Sequence, residues 1–212
     1  MTEKIYLQAE AGQVQVYEDR PENIKAIALV THPHPLMGGN PKHKIPQLMT
    51  EIFAEHGCLV WRPNFRGSGD SHGEHDDGVG ESKDIANLAM QMQEKYPNLP
   101  FYAGGFSFGS YVWAKSFHLL DEAHRPKQMV LAGLPAGRVR DLIDYQTPEI
   151  DHDILLIHGE QDEITPLVDV VAWAKPQRHP ITIMPGANHF FTGYLKPLRT
   201  VIERFLVFDT PK

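Results

Sequence analysis

The stretch Phe101-Tyr102-Ala103-Gly104-Gly105-Phe106-Ser107-Phe108-Gly109-Ser110-Tyr111-Val112-Trp113 decides how the rest of the chain is read. Apolar and small residues run up to a glycine-flanked serine, and Val112, Trp113, Ser116 and Leu119 or Leu120 then fall on one helical face. A strand passing into a helix through Gly-x-Ser-x-Gly makes a strained turn that thrusts the serine hydroxyl outward. The pattern alone is weak, because Gly69-Asp70-Ser71-His72-Gly73 satisfies it too. That second match is separated from its strand by Arg66-Gly67-Ser68 and continues into a polar loop, so Ser71 reads as a turn residue. Ser107 is the candidate nucleophile; without partners it would read as a helix N-cap.

On either side the chain alternates between strand and helix patterns. Ile5 and Leu7, then Val14 and Val16, alternate with polar residues around Ala11-Gly12, as in an opening β-hairpin. Ile24 to Thr31 is a continuous apolar run, the mark of a strand buried on both faces. Leu48, Met49, Ile52 and Phe53 recur at helical spacing before Gly57. Strands follow at Cys58 to Phe65, Pro100 to Phe106, Gln128 to Leu134, Ile154 to His158 and Ile181 to Met184. Between and after them lie helices near Ser82 to Tyr96, Ser107 to Leu120 and Val168 to Ala174, and one containing Leu198, Ile202, Phe205 and Leu206. Asp70 to Asp84, rich in Gly, His, Asp and Glu, reads as an ordered surface loop. The expectation is an α/β fold with a mostly parallel sheet of eight strands, an N-terminal antiparallel hairpin and helices on both faces.

Two further residues follow strand ends. Asp162 lies beyond Ile154 to His158, in His158-Gly159-Glu160-Gln161-Asp162, and His189 beyond Ile181 to Met184, in Pro185-Gly186-Ala187-Asn188-His189. Ligands in α/β sheets collect at such C-terminal strand ends. A serine hydroxyl is a poor nucleophile at neutral pH, so it needs an imidazole to take its proton and a carboxylate to orient and stabilise that imidazole. Ser107, Asp162 and His189 supply those three chemistries, in the chain order of an α/β hydrolase. A helix-capping aspartate and an exposed loop histidine are the bland readings of the last two.

A tetrahedral intermediate also requires two N–H donors. The Phe108 N–H is one, set by the elbow. The other is sought in His32-Pro33-His34-Pro35-Leu36-Met37-Gly38-Gly39-Asn40, where Pro33 and Pro35 have no N–H to offer. Leu36 is the first choice, then Met37 or His34. Met37, Phe106 and Phe190 are the candidate substrate-binding residues, with Phe108 and Phe191 near them, although aromatic residues beside an elbow are as often core packing.

Composition bounds the rest. The chain has 212 residues, 42% of them apolar, enough for one core, and it is read as a single domain over 1–212. A formal charge of −7 and the lack of a basic cluster argue against nucleic-acid and membrane-surface roles. Cys58, the single cysteine, sits in an apolar run and reads as a buried small hydrophobe. With neither a leader-like nor a membrane-spanning apolar run, a cytoplasmic protein is expected, with a homodimer left open.

Four ordered segments carry a resemblance: His32 to Gly39, Asn64 to Ser71, Gly105 to Gly109, and His158-Gly159 through Asp162. Together they make the chain similar to the α/β-hydrolase superfamily, specifically its small bacterial dienelactone-hydrolase-like members, over essentially its whole length. Larger relatives insert a lid between the sixth and seventh strands; Pro135 to His152 has room for only a short connection, implying an open, shallow site. The dienelactone hydrolases use cysteine as nucleophile, and position 107 is serine, which argues against a dienelactone substrate.

The resulting expectation is a cofactor-free serine hydrolase, a carboxylesterase for small accessible acyl esters. Peptidase, thioesterase and acyltransferase chemistry share its acyl-enzyme intermediate. A non-catalytic binding protein on the same scaffold is a further alternative. A metal hydrolase would have to build on His32-x-His34, but neither His-Glu-x-x-His nor an Asp-His pair shortly after His34 is present.

Overall fold

The computed structural model describes residues 2–139 and 143–208. The chain opens with β1 (Thr2–Ala9) and β2 (Gly12–Asp19), an antiparallel pair closed at Ala9 opposite Gly12. It continues through β3 (Ala26–Thr31), α1 (Lys44–Glu55), β4 (Cys58–Pro63), α2 (Val79–Lys95), β5 (Phe101–Phe106) and α3 (Phe108–Phe117). Then come β6 (Gln128–Ala132), β7 (Gly137–Val139), β8 (Ile143–Tyr145), β9 (Ile154–Gly159), α4 (Leu167–Gln177), β10 (Ile181–Met184) and α5 (Leu195–Phe205).

Eight strands form one sheet in the order β1-β2-β4-β3-β5-β6-β9-β10. β2 is antiparallel to both β1 and β4, and every pair from β4 to β10 is parallel. The continuous apolar runs are explained by this sandwiching, since β3, β4, β5 and β6 are buried at every position. Side chains alternate between two cores. Ile27, Leu29, Leu59 and Trp61 pack on the side of α2 and α3 with Ile85, Leu88, Met92, Val112 and Trp113. Ala28, Val30, Cys58 and Val60 pack on the other side with Met49 and Phe53 of α1 and Leu198 and Ile202 of α5. The Trp113 indole N–H donates to the Gly104 carbonyl at 3.1 Å, pinning α3 against β5.

Two elements differ from the sequence reading. α2 begins at Val79, inside the stretch expected to be loop. Gly78 takes the left-handed φ of 86° that opens the helix, and Glu81 reaches back to accept the N–H groups of Asp76 and Gly78, each at 2.9 Å. The connection after β6 is short and carries no lid, but it folds into the small β7–β8 hairpin. Residues 140–142 of that connection lie outside the described ones.

Candidate active site

Ser107 stands between β5 and α3 at φ 55° and ψ −123°. This is a conformation an L-residue rarely adopts, costing about 1–3 kcal/mol. Its N–H is tied to the Ala132 carbonyl on β6 at 2.8 Å, and its carbonyl accepts from the N–H of Ser110. Neither flanking glycine tolerates a side chain. A Cβ on Gly105 would sit 2.8 Å from the Ser110 nitrogen, and one on Gly109 would sit 2.7 Å from the carbonyl oxygens of Thr31 and His32. The Gly-x-Ser-x-Gly spacing is thus a packing requirement of the turn.

Asp162 and His189 meet Ser107 from beyond the C-terminal ends of β9 and β10. Ser107 Oγ and His189 Nε2 are 2.9 Å apart, and His189 Nδ1 lies 2.7 Å from Asp162 Oδ2. With the proton on Nδ1, the network runs from hydroxyl to imidazole to carboxylate. Asp162 also accepts the N–H groups of Ile164 and Thr165 on Oδ1, at 2.9 and 2.8 Å, and the Thr165 hydroxyl on Oδ2 at 2.9 Å. Burial alone would raise its pKa; the hydrogen bond and charge of His189, with the Thr165 N–H, hold the carboxyl below its ordinary value instead. Beneath it, His158 donates Nε2–H to the Thr165 carbonyl at 2.7 Å, and burial depresses its pKa.

The loop after β3 forms the facing wall. Pro35–Met37 makes a single 3-10 turn. The N–H groups of Met37 and Gly39 are spent on the His34 carbonyl and that of Gly38 on the Pro35 carbonyl, at 3.0–3.1 Å. His34 and Leu36 are therefore the residues in Pro33–Gly39 whose N–H has no such acceptor. Leu36, the first expectation for the second donor, has its side chain 71% exposed and does not line the cavity beside Ser107, whereas His34 does. Phe108 heads α3, where its N–H has no partner within the helix. Its ring is buried beside Phe65 and His34, leaving only the backbone to serve the site.

A cavity of about 210 Å³ opens at Ser107 and His189. Met37 and Phe190, both expected there, line it together with Pro33, His34, His43 and Ile164. Phe106 does not: it is fully buried, under the His43 ring at 5.2 Å and the His189 ring at 5.1 Å. It supports two cavity residues without lining the cavity. Phe191 is likewise core. The sequence reading missed His43 and Ile164. His43 caps α1, its Nδ1 accepting the Ile45 N–H at 3.4 Å, and its signal was Pro46 just inside the helix.

The remaining chemistry-bearing residues are occupied elsewhere. The Ser71 hydroxyl donates to the Asn64 carbonyl at 2.9 Å and accepts the Gln15 N–H at 3.0 Å, bracing the loop after β4 against β2. His32 donates Nδ1–H to the Pro33 carbonyl at 2.7 Å and accepts the Phe65 N–H on Nε2 at 3.1 Å. Both of its nitrogens are thus used, and burial pushes its pKa down to about 3. Cys58 is fully buried, its thiol pushed up to about 12 by burial.

No family model matches the chain. It is 27% identical to an uncharacterized protein of Rickettsia prowazekii, over 96% of this chain and 88% of that one. Among solved structures, it superposes on a lidless α/β serine hydrolase from Xanthomonas campestris with a TM-score of 0.87 at 29% identity, covering 99% of this chain and 97% of the other. An α/β serine hydrolase homologue from Coxiella burnetii gives a TM-score of 0.84 at 30% identity, covering 98% and 99%. With the sheet order, the lidless connection and this likeness along the whole of both chains in agreement, the chain belongs to the α/β-hydrolase superfamily, alongside its small dienelactone-hydrolase-like serine hydrolases.

Proposed function

We propose that the chain is a serine hydrolase that cleaves small carboxylic esters through an acyl-enzyme intermediate, with Ser107, His189 and Asp162 as its catalytic triad. The observation that carries this reading is the unbroken chain of contacts from Ser107 Oγ through His189 to Asp162, at 2.9 and 2.7 Å. In the reaction Ser107 Oγ attacks the ester carbonyl carbon as its proton passes to His189 Nε2, and Asp162 stabilises the imidazolium. The oxyanion takes hydrogen bonds from the Phe108 N–H and, replacing the expected Leu36, the His34 N–H. Collapse breaks the bond to the alcohol, which leaves with the proton from Nε2. Water, deprotonated by His189, then releases the acid and restores Ser107.

A cavity of about 210 Å³ is smaller than the usual drug-sized site, which supports a short acyl group over a long one. The test compares hydrolysis of a short aryl ester by two variants. Ser107→Ala is expected to lower kcat by roughly 10⁴-fold or more with the fold retained. Ser71→Ala is expected to keep most of the turnover. The reverse pattern would put the nucleophile in the other motif, and an inactive wild type would favour a binding protein.

A further inference from the structure

Two imidazoles besides that of His189 line the cavity, and the chemistry above uses neither. His34 is 7% exposed, yet its Nδ1 has no hydrogen-bond partner. Nδ1 is enclosed and out of a ligand's reach, so Nε2, which makes no hydrogen bond among the described residues, is the nitrogen that can meet one. The His34 ring lies against Phe108 and His75, at 4.8 and 4.6 Å between ring centres, and the residue borders the cavity beside Ser107. Half-buried His43 approaches from α1. Because its Nδ1 accepts the Ile45 N–H, the proton of the neutral ring belongs on Nε2, which makes that atom a donor. Its ring plane is fixed by stacking at 19° on Phe106 and by contact with Phe190.

We propose that His34 and His43 recognise a hydroxyl group on the substrate, so that the enzyme prefers short hydroxylated esters to alkyl esters of the same size. A hydroxyl is the small uncharged group that both donates, to an unprotonated imidazole nitrogen, and accepts, from His43 Nε2–H. An anionic substituent fits less well. Among the described residues no Lys or Arg lines the cavity, and burial pushes both histidines down to about 4, leaving them neutral under ordinary conditions. The remaining lining, Met37, Ile164 and Phe190, suits the short carbon skeleton.

This inference rests on the serine-hydrolase reading, and its test separates the two. Two isosteric pairs are compared by kcat/KM: ethyl β-hydroxybutyrate against ethyl isovalerate, and hydroxyethyl butyrate against propyl butyrate. The first pair carries the hydroxyl on the acyl side, the second on the alcohol side. The wild type is expected to favour the hydroxylated member of one pair by ~10-fold or more, the worth of one well-made hydrogen bond. His43→Phe, which keeps the ring stack, and His34→Leu are each expected to bring that ratio towards unity. Ratios near unity in both wild-type pairs overturn the proposal without touching the hydrolase reading, and so do ratios unchanged in both variants. Failure to hydrolyse any of the four, with Ser107 unreactive to a fluorophosphonate, overturns both.

Discussion

The Thr31 hydroxyl donates to the Gly109 carbonyl at 2.9 Å, and a Cβ on Gly109 would stand 2.7 Å from the Thr31 carbonyl oxygen. The last glycine of the elbow is therefore where α3 is clamped onto β3, the strand whose loop carries His34. Gly109→Ala is expected to force the two apart, costing about 1–3 kcal/mol of stability. Displacing Ser107 and the Phe108 N–H by about an ångström should lower kcat by roughly 10²-fold. Urea unfolding and steady-state kinetics on the same preparation check both; unchanged values would show that the clamp does not govern the site.

Ser107 holds a conformation suited to glycine, so its strain is set against function. Ser107→Gly is expected to abolish turnover and to raise stability by about 1 kcal/mol relative to Ser107→Ala, in which the strain remains. Thermal unfolding of the two inactive variants side by side gives the answer. Equal melting temperatures would mean that the φ of 55° costs the protein nothing measurable.

The second oxyanion donor can be isolated because His34 already has a backbone that proline accepts, with φ −54° and ψ 118°. His34→Ala removes the imidazole and keeps the N–H, whereas His34→Pro removes both. The proline variant is expected to have a kcat lower than the alanine variant by ~10²–10³-fold, the usual cost of one oxyanion-hole donor. Equal kinetics for the two would return the role to Leu36.

Much of this was legible because burial on both faces writes itself into sequence as unbroken apolar runs, as in β3 from Ala26 to Thr31. The elbow was legible because close backbone contact tolerates only glycine at 105 and 109. What stayed hidden depends on where side chains point. Phe106 looked like a wall of the cavity, yet strand alternation turns it into the core beneath His43 and His189. His43, between Lys42 and Lys44, carries no apolar pattern to mark it, and its ring comes over Phe106 only where the chain enters α1. The start of α2 was hidden for a related reason. Gly78 and Glu81 open that helix through backbone conformation and a back-reaching carboxylate, in a stretch without apolar periodicity.

Stability should fall on mild acidification. Burial pushes the pKa of His32 down to about 3, against an ordinary value of 6.5, so between those values the unfolded chain binds a proton that the folded protein refuses. The stabilisation is complete above the ordinary value and is lost as pH falls towards the folded one, at about 1.4 kcal/mol per pH unit for His32 alone. His34 and His43, pushed by burial to about 4, steepen the loss. Asp162, held below its ordinary value of 3.8, begins to lose its contribution only near that pH, at the acidic end of this window. Urea midpoints at roughly pH 7 and pH 5 should differ clearly; equal midpoints would contradict the assigned burial effects.

The most direct test of the central claim is peptide mass spectrometry after treatment with a fluorophosphonate, which phosphonylates a serine only when its neighbours make it nucleophilic. A single adduct on the peptide containing Ser107, absent in His189→Ala, is the expected result. An adduct on Ser71, or none on well-folded protein, would contradict the assignment of Ser107, His189 and Asp162 as a working triad.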